Sequence, residues 1–129
     1  MGLCLLPRVA EIVAERRERV ELYQALLAPS GIVTWEVPEG LSWNYGYFPV
    51  VFTSEQVLLK VREALQRQGV FPRRYFYPPL TSLPYVDCAP APIAASISER
   101  VLCLPLHERL PLDEVRRVAA ILTHALEAG

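Results

Sequence analysis

Lysine is nearly missing from this 129-residue chain. Of its 13 cationic residues only Lys60 is a lysine and the other 12 are arginine, so chemistry that needs a lysine amine has one candidate. Lys60 lies between Leu59 and Val61 on an amphipathic stretch, where a surface lysine is expected. Histidine occurs twice, at His107 and His124. The three cysteines, Cys4, Cys88 and Cys103, are odd in number and form no CxxC pair. That argues against a zinc site or a disulfide framework and for a reducing, cytoplasmic setting. The six glycines are scattered, so no glycine-rich phosphate loop is present. Ser54, Ser82, Ser96 and Ser98 lack the context of a nucleophile elbow. No apolar run approaches the roughly 18 residues needed to span a bilayer. The opening Met1-Gly-Leu-Cys-Leu-Leu has neither a basic flank nor a cleavage site, and Gly2 lacks the Ser/Thr that myristoylation needs. Net charge is −1, which disfavours nucleic acid or an anionic membrane as the main partner.

What is present suits one domain. Hydrophobic residues make up 52% of the chain, enough to build a core and to argue against disorder. From about Pro7 to Ala28, Val9, Ile12, Val13, Val20, Tyr23 and Leu27 recur at helical spacing, with Glu11, Glu15, Arg16, Arg17, Glu18 and Arg19 on the remainder. Glu15 and Arg19 are spaced for an attractive pair on the exposed side. Ala28-Pro-Ser-Gly31 breaks this helix, and Ile32–Val37 then predicts a strand. Tyr45–Phe52 predicts a second strand, with Pro49 pointing to an edge or a bulge. Thr53 to Gln56 has capping-box spacing ahead of a helix that buries Val57, Leu58, Val61, Ala64 and Leu65 and stops at Gly69. A short helix over Ile93–Arg100, a buried strand over Val101–Leu104 and a last helix over Pro111–Glu127 complete the order. The last helix carries Leu112, Val115, Val118, Leu122 and Leu126 on one face, with His124 in its final turns. The expected architecture is α+β: a small antiparallel sheet with helices packed on one face.

Residues 69–85 are the richest in chemistry. They hold Arg73 and Arg74, five aromatic residues and four prolines directly after a helix. Arginine forks and tyrosine hydroxyls on a proline-stiffened segment can grip an anionic or sugar-like ligand. The same composition can also serve as a cover of rings over a small core. Arg73 and Arg74 are neighbours, so one can face a ligand while the other pairs with an acid. Tyr75 and Tyr77 share a side if the segment is extended. Asn44 stands among rings in Trp43–Pro49, where it either makes a turn or contacts a ligand. The side chains of Arg73–Tyr77 also suit single-stranded nucleic acid, but the surrounding positive charge is lacking.

Several stretches in order resemble the C-terminal region of the DegT/StrS family. They are Asn44-Tyr-Gly-Tyr-Phe-Pro-Val, a helix ending at Gly69-Val, Arg73-Arg-Tyr-Phe-Tyr-Pro-Pro-Leu, Val101-Leu-Cys-Leu-Pro-Leu and a closing helix. The family consists of pyridoxal-phosphate-dependent aminotransferases that act on keto-sugar nucleotides. The resemblance implies the small C-terminal domain of a fold-type I aminotransferase, with 1–28 as the connecting helix and 29–129 as the α+β domain. It implies that the large cofactor domain, with its Schiff-base lysine, lies before residue 1. Lys60 does not match the anchoring motif, so this chain alone is expected to bind no cofactor and to lack transaminase activity. Arg73, Arg74, Tyr75, Tyr77 and Asn44 are the residues expected to border a sugar-nucleotide pocket. Family members often carry a histidine in a Pro-Leu-His run, but Thr81 follows Pro79-Leu80 here, so that role is not carried over. An alternative is an interaction module that docks on a separate catalytic chain, or on a second copy, through Leu3, Leu5 and Leu6.

Overall fold

The computed structural model describes residues 2–87 and 89–128, so Cys88 lies outside it. A short helix α1 (Gly2–Leu5) and a 3-10 turn lead into α2 (Val9–Leu27). Strands β1 (Val33–Thr34) and β2 (Phe48–Val51) precede α3 (Glu55–Arg67). The aromatic segment follows, then α4 (Pro92–Arg100), β3 (Val101–Leu104) and α5 (Leu112–Glu127). The strands form one antiparallel sheet in the order β1-β2-β3.

Register decides which residues make the core. Phe48 pairs with Leu104 and Val50 with Leu102, so these four side chains share one face of the sheet. That face meets α2, α3 and α5. Val20, Tyr23 and Leu27 from α2, Leu58, Val61 and Leu65 from α3, and Val115, Val118 and Leu122 from α5 complete the cluster. Tyr23 stacks on Phe48 with ring centroids 5.0 Å apart. The expected α+β layer is the observed one. Val101 and Cys103, alternate residues of β3, turn to the opposite face and are also buried, under α4 and the aromatic segment.

Several expected boundaries move, each for a local reason. The first strand shrinks from 32–37 to two residues. Cys103 exchanges both backbone hydrogen bonds with Arg73, so its pairing with Pro49 is of the kind without hydrogen bonds. By alternation, the missing N–H of Pro49 would have faced Trp35, and β1 stops where that donor is lacking. Pro49 therefore sits in the central strand at a point where the strand is locally an edge. Ser54, not Thr53, caps α3, accepting the Val57 N–H at 3.3 Å. Only the second half of α2 reaches the core; Val9 is exposed, because the helix runs past the end of the sheet. The expected Glu15–Arg19 side-chain pair does not form. Arg19 instead donates to the Glu15 carbonyl and to the carbonyl of Leu110.

Candidate functional site

The geometry starts from one backbone rung. The Arg73 N–H donates to the Cys103 carbonyl at 3.1 Å, and the Cys103 N–H returns a bond to the Arg73 carbonyl at 2.8 Å. This antiparallel bridge lays the start of the aromatic segment along the free edge of β3. A cleft of about 320 Å³ opens beside it, walled by Tyr47, Phe71, Arg73, Tyr75, Cys103 and His107. Tyr47 immediately precedes β2 and Pro105 immediately follows β3. The Phe48–Leu104 pairing therefore brings Tyr47 and His107 to the same end of the sheet.

Within the cleft, Arg73 Nη1 donates to the Tyr75 hydroxyl at 2.6 Å. The phenol accepts this bond, which leaves its own proton free to donate to a ligand oxygen. Tyr47 meets the Tyr75 ring edge-on at 5.5 Å and helps fix it. Arg73 is exposed, and the guanidinium keeps further donors for an anion. Burial raises the pKa of the Cys103 thiol, so this residue acts as an apolar wall rather than a nucleophile.

Arg74 behaves differently. Its side chain is only 11% exposed and is held by the Glu55 carboxylate at the start of α3. Its Nη2 also donates to the Glu99 carbonyl near the end of α4, at 2.9 Å. The guanidinium lies 3.4 Å from the centroid of the Tyr77 ring. The hydrogen bond from Arg74 holds Glu55 below the ordinary carboxylate pKa. Tyr75 and Tyr77 thus do not share a side. The segment is not extended, and one ring serves the cleft while the other covers Arg74. Asn44 does not line the cleft; its Oδ1 accepts the Gly46 N–H at 2.9 Å and shapes the turn that carries Tyr47. Tyr45 within that turn has a left-handed φ of 51°.

The far wall of the cleft is fastened to α2. Tyr23 donates its hydroxyl to the Pro105 carbonyl at 3.2 Å, and Arg19 Nε donates to the Leu110 carbonyl at 2.8 Å. Arg16 pairs with Glu108 at 3.4 Å. Burial pushes the Tyr23 hydroxyl well above its ordinary pKa, so it stays a neutral donor. Sequence reasoning did not connect His107 or Tyr47 to a site. The available signal was position: each adjoins the same end of two strands that pair.

Pyridoxal phosphate does not fit the residues present. Lys60, the sole lysine, is exposed on α3 and borders a separate surface groove with Thr53, Gln56 and Leu126. It is not among the residues that wall the cleft, so no anchoring amine faces it. No group of three or more histidine, cysteine or acidic side chains suited to a metal ion occurs among the described residues.

Comparison with known proteins agrees with this architecture. The chain is 28% identical, over 94% of its length, to the dTDP-4-amino-4,6-dideoxy-D-glucose transaminase of Escherichia coli, of which it covers 35%. It is 32% identical, over 98% of its length, to the dTDP-4-dehydro-2,3,6-trideoxy-D-glucose 4-aminotransferase of Saccharopolyspora spinosa, of which it covers 33%. The chain thus spans about a third of the length of these curated relatives. Among solved structures, the aminotransferase TlmJ from Streptoalloteichus hindustanus superposes with a TM-score of 0.88 at 29% identity, over 98% of this chain and 35% of that one. DesI, solved in the presence of its TDP-sugar product, gives a TM-score of 0.85 at 28% identity, over 98% of this chain and 34% of that one. The model of the DegT/DnrJ/EryC1/StrS aminotransferase family matches residues 1–123, and the chain belongs to that family.

Proposed function

We propose that this chain is the small domain of a sugar-nucleotide aminotransferase and supplies an anion-binding wall, not the reactive lysine. The observation that carries the reading is the convergence of Arg73, Tyr75, Tyr47 and His107 on one cleft. Arg73 offers a charged fork to a phosphate, and the Tyr75 proton offers a further bond to a phosphate or sugar oxygen. The relatives' names, which specify dTDP-linked sugars, support a nucleotide sugar as the ligand. The amino-group chemistry of the family belongs to pyridoxal phosphate on a lysine, and the lysine of this chain is badly placed for it. Arg74 and Tyr77 act by holding the aromatic segment to α3 and α4, and Asn44 by shaping the turn before β2.

Two measurements test this. Titration with inorganic pyrophosphate should show saturable binding that weakens roughly 10-fold or more in Arg73→Met, the loss expected for a charge-assisted hydrogen bond. Absence of wild-type binding, or equal binding by the variant, overturns the anion wall. Pyridoxal phosphate added to the chain should give no stable, borohydride-reducible band on Lys60; such a band overturns the assignment of the lysine elsewhere.

A second reading concerns how the chain meets other polypeptide. Leu3 is 84% exposed, and Leu5, Leu6 and Val9 are exposed beside it on α1 and the start of α2. An apolar patch of this kind favours docking on a separate catalytic chain or on a second copy. Light scattering of wild type and of Leu3→Glu/Leu6→Glu checks it: a monomer in both, with no change on adding a catalytic partner, counts against docking.

A further inference from the structure

The two walls of the cleft are held by different helices. Tyr75 stands on the segment that Arg74 ties to α3 and α4. His107 stands on the loop 105–110, between β3 and α5. Among the described residues, the hydrogen bonds that leave this loop all go to α2. Tyr23 donates to the Pro105 carbonyl, Arg16 to the Glu108 carboxylate and Arg19 Nε to the Leu110 carbonyl. The loop's other hydrogen bond is internal, from the Leu110 N–H to the His107 carbonyl at 3.1 Å.

Arg19 is the best fixed of the three. Residues three and four apart share a stripe of a helix, so Arg16, Arg19 and Tyr23 meet the loop together. The Arg19 side chain is only 11% exposed. Its Nη1 donates to the Glu15 carbonyl at 2.7 Å and to the Glu18 carboxylate at 3.3 Å. A planar guanidinium anchored at one end by its own helix leaves Nε one direction in which to donate, and the Leu110 carbonyl lies there at 2.8 Å. Leu110 is buried, so a loop that lost this donor would shift to satisfy its carbonyl elsewhere. Arg19 is not among the residues that wall the cleft, so its influence there passes through the loop.

We propose that Arg19 is a positioning residue for the cleft: its bond to Leu110 sets where His107 stands across from Arg73 and Tyr75, and so how well the cleft fits an anion. The inference rests on the reading of the cleft as an anion site. It adds a determinant of binding on α2, outside the cleft itself. By linkage, an anion that draws the two walls together also tightens the loop on α2.

The chain has two histidines, so the imidazole region of its proton NMR spectrum carries its own control. His107 reports the loop, and His124, on α5 beside Thr123 and Leu26, reports the helical layer. Wild type, Arg19→Met, Arg19→Lys and Tyr23→Phe are compared at one fixed pH, below the melting transition of each. Arg19→Met should move the His107 resonance, leave that of His124 in place and weaken pyrophosphate binding about 5-fold, as when one ordinary hydrogen bond is lost. Arg19→Lys, which keeps a charged donor, should return both readouts toward wild type. The inference is overturned if His107 stays in place in Arg19→Met, if both histidines move together, or if His107 moves while affinity does not change. If Arg19→Met fails to fold, Tyr23→Phe decides by the same criteria, since it removes another tie to the loop and keeps the ring. Pyrophosphate that fails to bind wild type defeats the anion reading instead, and the His107 resonance then still decides whether Arg19 sets the loop.

Discussion

The two faces of the small sheet have been finished in opposite ways. Phe48, Val50, Leu102 and Leu104 look into three helices and are excluded from water. Val101 and Cys103, one residue out of step on the same strand, look into a segment built from prolines, rings and two arginines. Helices close the first face because their apolar stripes interlock with it along their length. The second face is roofed by the short helix α4 and by irregular chain, which together fill space less evenly, and the gaps left are the cleft and an apolar depression beside Phe76. One face therefore carries the packed core, and the other carries the open cleft on which the proposed anion site rests.

Breaking the closed face should give the largest effect. Leu102→Ala removes a fully buried side chain from the centre of the core and should cost about 2–5 kcal/mol in urea unfolding. The clamp from α2 to the cleft wall should matter less. Tyr23→Phe removes the hydroxyl that donates to the carbonyl of half-buried Pro105, a loss of about 1 kcal/mol. The neighbouring arginines sharpen the contrast further. Arg74→Met should lower the urea midpoint because it unties α3, α4 and Tyr77 together, whereas Arg73→Met should leave the midpoint nearly unchanged and act on pyrophosphate binding. A shared phenotype for the two variants would erase the distinction between them.

The smallest effect concerns pH. Arg74 holds the folded Glu55 carboxylate below its ordinary pKa. A carboxylate with a depressed folded pKa adds stability above the unfolded value, about 4.3, and loses it as the pH falls through the folded value. Glu55→Gln should thus lower the midpoint near neutral pH, and the gap to wild type should narrow at about pH 3. A gap that stays constant would mean that the ion pair contributes nothing beyond packing.

Much of the fold was legible in the sequence. Val115, Val118 and Leu122 recur at helical spacing, and Val101–Leu104 is an unbroken apolar run, so both elements stand out locally. The early end of β1 was not legible, because it depends on a proline in a different strand and on which way that strand pairs. The site was half legible. Composition singled out residues 73–77, but which of Arg73 and Arg74 lies exposed in the cleft turned on the pairing of Arg74 with Glu55, 19 residues away in the chain. His107 had no local signal at all.

What the sequence by itself determined is the inventory: one lysine, clear apolar periodicity in α3 and α5 and a ring-rich arginine pair on a segment too proline-dense for a helix. Those properties are set by side-chain chemistry and by near-neighbour sterics, which operate within a few residues. What only the tertiary structure decided is the assignment of roles. The antiparallel register of β2 and β3 joins Tyr47 to His107, and the Arg73–Cys103 rung turns one arginine outward while its neighbour is locked by Glu55. Such roles follow from hydrogen-bond pairing between distant parts of the chain, and pairing exists only once the sheet has formed.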